Sequence, residues 1–386
     1  MIGNDYEAQR KYVNSFEPSA DVIMLILKAI YESEAAPFVY LSSIPFSKVT
    51  ALILSHDVDA QSSFVDSLKY AELEKRYGVN STFFETTKYF TDWMDIDYYN
   101  IEENVEAIRK LKRGGWDIGS HTVSHYKMLH LAPEGDPDVT YKKYDPENKV
   151  TVQGEVRVSK ELLDRDIPGQ NTVSFRAGDL AFPRFLIRVL EEAGYLYDST
   201  LSANDAMTAF PFRALNEQSL GSGESNVLEI PVTLDDSLGY LTRDSVEHAV
   251  ENWIDVAGSN MQNEAITVLL IHPSDTRTET YKLDAQETFM EWVSRMEGWM
   301  GSLTAYGDFW RDRDRLDFKT YMSSTGTLVI EIDTKASSLN PMIGFVVGDT
   351  EMVKRAEVID PDGVILNYSS GARNGKLYLG IKKGPQ

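Results

Sequence analysis

The chain has 386 residues, 42% of them apolar and 25% charged, the proportions of a folded globular protein rather than a disordered or membrane-embedded one. A formal net charge of −22, with no Lys/Arg-rich stretch to reverse it locally, argues against nucleic acid as a partner. The absence of cysteine excludes disulfides, thiolate metal sites and cysteine nucleophiles.

Residues 1–47 read as an N-terminal embellishment with one helical pattern. Its apolar run, residues 22–30, is interrupted by Lys28 and is too short to span a bilayer; it predicts a buried helix capped near Ser19. No signal peptide is visible. From Val49 onward short apolar runs alternate with amphipathic patterns, which predicts strand–helix units around a parallel sheet. Residues 49–54 read as a buried strand, 64–77 as a helix stopped by Gly78, and 79–84 as the next strand. A second helix is expected to start at Asn100, with Glu103 completing a capping box, and to end at Gly114-Gly115 before a strand at 116–119. Further strands are expected at 172–175, 195–197, 227–231 and 265–271, and helices near 154–164, 183–193 and 244–257. Residues 127–149, rich in Pro, Asp, Tyr and Lys, read as a long loop near the site. The α/β unit spans residues 48–315. Beyond it the pattern turns to β-runs at 327–332, 342–347, 356–359, 364–368 and 376–381, separated by Pro361-Asp362-Gly363 and Asn374-Gly375, so residues 316–386 read as a small β-sandwich-like domain.

Chemistry gathers at strand ends. Ser55-His56-Asp57-Val58-Asp59 follows the first buried strand, and Gly119-Ser120-His121-Thr122-Val123-Ser124-His125 follows another, its two histidines four apart and on one side if the segment turns helically. Phe175-Arg176-Ala177-Gly178-Asp179, Asp198 and Leu270-Ile271-His272-Pro273 each lie just beyond an apolar run. An isolated Asp-x-Asp is usually a loop cap and an isolated Arg176 or Asp198 a salt-bridge residue. Their joint placement is the argument, because active sites of strand–helix barrels gather on the rim at the strands' C-terminal ends. His130 and His248 lack that placement and read as surface or packing residues. His56 should point away from the acidic pair, in a structural role.

Over roughly residues 49–300 these motifs resemble the polysaccharide deacetylase family, the NodB-homology group of carbohydrate esterases. Ser55 to Asp59 resembles its first motif in the Asp-x-Asp variant, Ser120 to His125 its second, and Leu270-Ile271-His272-Pro273 its fifth. Phe175-Arg176-Ala177-Gly178 resembles the third, which usually has proline where Gly178 stands, and Asp198 falls where the fourth is expected, without its usual tryptophan. The resemblance implies a distorted (β/α) barrel of about seven strands and one divalent ion held by Asp59, His121 and His125, zinc by default, with cobalt, nickel or iron able to bind similarly. It further implies Asp57 as general base, His272 as general acid, Arg176 orienting Asp57, Asp198 tuning His272, and the backbone N–H of Asp179 in the oxyanion site. The implied reaction is removal of acetyl groups from N-acetylated glycans, in an extracellular or cell-envelope setting and without a membrane span. Two other readings are weighed: hydrolysis of a small non-sugar amide or cyclic imide, and a catalytically inert glycan-binding protein.

Overall fold

The computed structural model describes residues 19–35, 37–92, 96–203, 210–219, 221–237, 241–274, 280–333, 340–348, 355–359 and 362–381. In chain order the first elements are α1 (Ser19–Glu34), β1 (Val39–Leu41), β2 (Ala51–Val58), α2 (Gln61–Arg76), β3 (Thr82–Glu85), α3 (Glu102–Gly114), β4 (Asp117–Ser120), α4 (Val152–Asp166), β5 (Ser174–Phe175), α5 (Leu186–Ala193) and β6 (Tyr197–Asp198). There follow β7 (Phe212–Leu215), β8 (Glu224–Glu229), β9 (Leu234–Asp235), α6 (Val246–Gln262), β10 (Ile266–Ile271), α7 (Thr280–Arg295), β11 (Trp299–Gly301) and α8 (Leu303–Asp314).

Among the described residues ten strands make one curled sheet in the order β7-β8-β6-β5-β4-β3-β2-β10-β9, with β11 also on β2. All its pairings are parallel except β7 with β8. The distorted barrel is therefore present as an open, half-closed sheet. Central β2 is buried along its whole length, as expected for a strand covered on both faces. Its residues alternate: Leu52, Leu54 and Val58 pack in the core beneath the outer helices, while Ala51 and Ile53 join Phe84, Val268 and α8 residues on the concave side. That period of two sends Asp57 inward and His56 outward. Helix α8 comes close enough that a Cβ on Gly307 would lie 2.4 Å from the Tyr197 ring.

Several sequence expectations shift. Asn100 does not cap α3; it bonds Asp97 (Nδ2 to Oδ2, 2.7 Å), and Ile101 stands at the cap without a side-chain bond. Gly115 does close that helix, at φ 95°. Strands β1, β7, β9 and β11 escaped the pattern because two to four residues show no periodicity.

The C-terminal strands are β12 (Asp317–Met322), β13 (Thr327–Asp333), β14 (Gly344–Val347), β15 (Arg355–Ile359), β16 (Tyr368–Arg373) and β17 (Lys376–Ile381). They form sheets β12-β13-β15 and β1-β14-β17-β16, whose inner faces share Ile330, Ile332, Phe345, Val358 and Leu379. The N-terminal segment thus lends β1 to this sandwich, antiparallel to β14. A strand expected at 364–368 begins instead at Tyr368, and Val364 and Ile365 are exposed.

Helix α1 forms where expected but is not buried. Val22, Ile23, Met24, Ile26, Leu27 and Ile30 are between 49% and 61% exposed. Its polar stripe faces the protein instead: Asp21 accepts from Phe210 N, Lys28 pairs with Glu264 (2.7 Å), and Glu32 pairs with Lys376 (2.6 Å). Among the described residues no helix is long and apolar enough to cross a membrane.

Candidate active site

The site lies at the C-terminal ends of β2, β4, β5 and β10, and Arg176, one residue past β5, organises it. Arg176 is fully buried. Its Nη1 donates to Asp57 Oδ1 (2.8 Å), its Nη2 to Ser55 Oγ (2.9 Å) and Ser199 Oγ (3.0 Å), and its Nε to Ser199 O (3.1 Å). The guanidinium also lies over the Phe84 ring, 4.4 Å from its centre. Burial alone would raise the Asp57 pKa; Arg176, with His121 and His272, prevails and holds it at about 2.

The same arginine fixes a histidine tautomer. Arg176 O accepts from His121 Nδ1 (2.9 Å), which leaves His121 Nε2 carrying a lone pair. That Nε2 is buried and has no hydrogen-bond partner; it lies 3.6 Å from Asp57 Oδ2. Burial first of all lowers the His121 pKa to about 4, which favours the neutral ring at pH 7.

His121 and His125 meet without a helix. Thr122 and His125 take positive φ, 69° and 52°, and the tight turn brings the two rings to 5.1 Å between centres. The turn is pinned from α4: buried Glu155 accepts from Val123 N (2.9 Å), Ser124 N (2.8 Å) and Ser124 Oγ (2.9 Å). Gly178 lets His125 lie close, since a Cβ there would sit 2.8 Å from the His125 ring. This gives a steric reason for glycine at the position where the third motif usually has proline.

His125 Nε2 and His272 Nε2 both face Asp59 Oδ2, at 3.6 and 3.9 Å. By type the donor set suits a divalent cation: the unpartnered Nε2 of His121, a second imidazole in His125 and the carboxylate of Asp59. Each of the first two imidazoles faces a different member of the Asp-x-Asp pair.

Asp198 does not engage His272; the carboxylate there is Asp236, just past β9. It holds His272 Nδ1 at 2.6 Å and His272 N at 3.2 Å, and it also receives Lys282 Nζ (3.0 Å). Burial would lower the His272 pKa, but Asp236 raises it well above its ordinary value. Sequence reasoning missed Asp236 because β9 is two residues long; the signal available was an Asp pair directly after the apolar Val232 and Leu234. Asp235, Asp236 and His272 are the one trio among the described residues whose potential ligand atoms all lie within 4.8 Å of one another. The Lys282 ammonium already neutralises Asp236, which suits an ion-paired acid better than a cation site.

Asp198 faces Glu229 across β6 and β8. Both are fully buried, Asp198 Oδ1 accepts from Thr200 Oγ1 (2.6 Å), and Glu229 Oε1 accepts from Leu201 N (2.9 Å). Burial raises both pKa values, that of Asp198 to about 6, which favours a proton held between the two carboxyls. Asp179 sits in a short turn at φ 52° next to Gly178.

Residues 66–197 match the family described as polysaccharide deacetylase. The fold is similar to that of a polysaccharide deacetylase structure from Mycobacterium smegmatis, with a TM-score of 0.51 at 21% identity over 69% of this chain and 92% of that one. It is also similar to Puue allantoinase, with a TM-score of 0.50 at 14% identity over 73% of this chain and 95% of that one. No curated protein matches the chain by sequence. Over residues 66–197, then, the chain matches the polysaccharide deacetylase model, and its barrel fold is similar to that of the Mycobacterium smegmatis structure.

Proposed function

We propose that the protein is a metal-dependent N-deacetylase of N-acetylated glycans. The observation that carries this reading is the bare, buried Nε2 of His121 on one rim with Asp57, Asp59, His125 and His272. Asp59, His121 and His125 hold the ion, zinc by the chemistry of the donors, with cobalt, nickel or iron as substitutes. When bound, the ion supplies Lewis acidity to the amide carbonyl and to the attacking water.

The chain's own groups divide the rest. Asp57, kept ionised and aimed by Arg176, takes the water's proton. The Asp179 N–H donates to the carbonyl oxygen as it gains charge. His272, kept protonated by Asp236, gives its proton to the departing amine, leaving acetate and a free amino sugar. Support for a glycan over a small amide comes from a cavity of about 660 Å³ beside the turn that carries His125, which none of Asp57, Asp59, His121, His125 and His272 lines. Tyr126, Met128 and Leu131 line it together with Asn148 and Lys149, a mixture of apolar faces and polar donors that suits sugar rings.

The test is acetate release from chitin oligomers, peptidoglycan and poly-N-acetylglucosamine, with a cyclic imide alongside. Activity should fall on chelation and return with the added ion. Turnover of the imide with no acetate from any glycan would move the assignment to the small-amide reading.

A further inference from the structure

Behind the rim, on the helix side of β2, lies a buried polar cluster outside the proton-transfer scheme. His56 is fully buried, and both its ring nitrogens face oxygens: Nε2 lies 2.7 Å from Glu74 Oε1 on α2, and Nδ1 lies 3.2 Å from Ile271 O at the end of β10. An oxygen thus faces each ring nitrogen, and both contacts fix the ring's orientation. Glu74 is saturated in turn, accepting from Ser81 Oγ (2.7 Å), Trp116 Nε1 (2.8 Å) and Gln286 Nε2 (3.0 Å). The imidazole is held flat against Phe83, with centres 4.5 Å apart.

Such a cluster is a costly way to fill a core. Well-packed apolar residues replace a buried ion pair with little loss of stability, and often with a gain. What the polar arrangement adds is direction. His56 pairs in register with Ile271, and the next residues along the two strands are Asp57 and His272. One ring therefore ties the strand bearing Asp57 and Asp59 to the strand bearing His272, and Glu74 anchors that ring to α2.

We propose that His56, clamped by Glu74, is a positioning residue that sets the height of His272 relative to Asp57 across the cleft. The inference rests on the deacetylase reading for its kinetic consequence, though not for its structural one. A misplacement of about 1 Å in a reacting group can cost on the order of a hundredfold in rate.

The test compares the metal-loaded full chain with His56→Phe, which keeps the stacking on Phe83 but loses both hydrogen bonds, and with His56→Gln, which retains one donor. Acetate release from N-acetylglucosamine oligosaccharides should show kcat falling roughly ten- to hundredfold in His56→Phe. KM and metal content should stay near wild type, and His56→Gln should recover part of the loss. Unchanged kcat in folded His56→Phe, or a loss that merely tracks lost metal or lost fold, overturns the proposal. A crystal structure of either folded variant gives the readout that does not depend on activity. The Ile271–His272 backbone should move against Asp57, and an unmoved backbone overturns the clamp. Wild-type protein that releases no acetate refutes the deacetylase reading instead, and the structural readout still decides the clamp.

Discussion

At the barrel rim, Arg176, Asp57 and Asp236 lie buried, each held by an opposite charge. On α1 the reverse arrangement holds: the apolar side chains are exposed, while Asp21, Lys28 and Glu32 turn into the protein. The same physics sets both. Apolar burial is non-directional and proportional to area, whereas a charge next to the core must meet its partner at one place. Glu264 and Lys376 stand where α1 lands, so the charges choose which face of the helix turns inward. At the rim, Arg176 likewise chooses the direction of Asp57.

The largest effect expected from breaking these arrangements is at the rim. Asp57→Asn should keep the ion yet lose roughly two to four orders of magnitude in kcat, as expected for removal of a positioned base. Metal analysis beside the kinetics checks it, and loss of the ion would make Asp57 a ligand. Next is Asp236→Asn, expected to lower activity roughly ten- to hundredfold. Since Asp236 raises the His272 pKa, the protonated acid persists to higher pH in the wild type. Without that carboxylate the alkaline limb of kcat/KM should move to lower pH, and an unmoved limb would assign it to another group.

Between rim and periphery sits the Asp198–Glu229 pair. The folded-state pKa values of both are raised, so their contribution to stability is fully present below the ordinary Asp value of 3.8 and is lost as pH rises through the folded values, about 6 for Asp198. Glu229→Gln should flatten that loss, raising stability relative to wild type on the order of 1 kcal/mol at alkaline pH. Urea unfolding across pH 5 to 9 decides it, and parallel curves would show that the proton is not shared. On α1, Lys28→Met should cost about 1 kcal/mol through Glu264, while Ile23→Glu and Leu27→Glu should stay within about 0.5 kcal/mol. A larger loss in either Glu variant would mean that this face is covered in solution.

How much was readable varied with chain distance. The strand that ends in Asp57 and Asp59 was legible because a continuous apolar run followed by polar residues describes a buried strand reaching a rim. The His121–His125 pair was legible as a spacing, but not as a turn, because its positive φ values depend on contacts with Glu155 and Gly178. Asp236 was hidden because β9 is too short to carry a period, and Asp198 was given its role by order in the chain rather than by a neighbour.

By itself, then, the sequence determined the alternation of strands and helices and the side of β2 on which Asp57 and His56 fall. These follow from local periods of 2 and 3.6 residues. Only the tertiary structure decided that Asp236 rather than Asp198 meets His272, that β1 joins the C-terminal sandwich, and that α1 shows its apolar face outward. Each of these depends on a partner far away in the chain, and no local pattern encodes where that partner will stand.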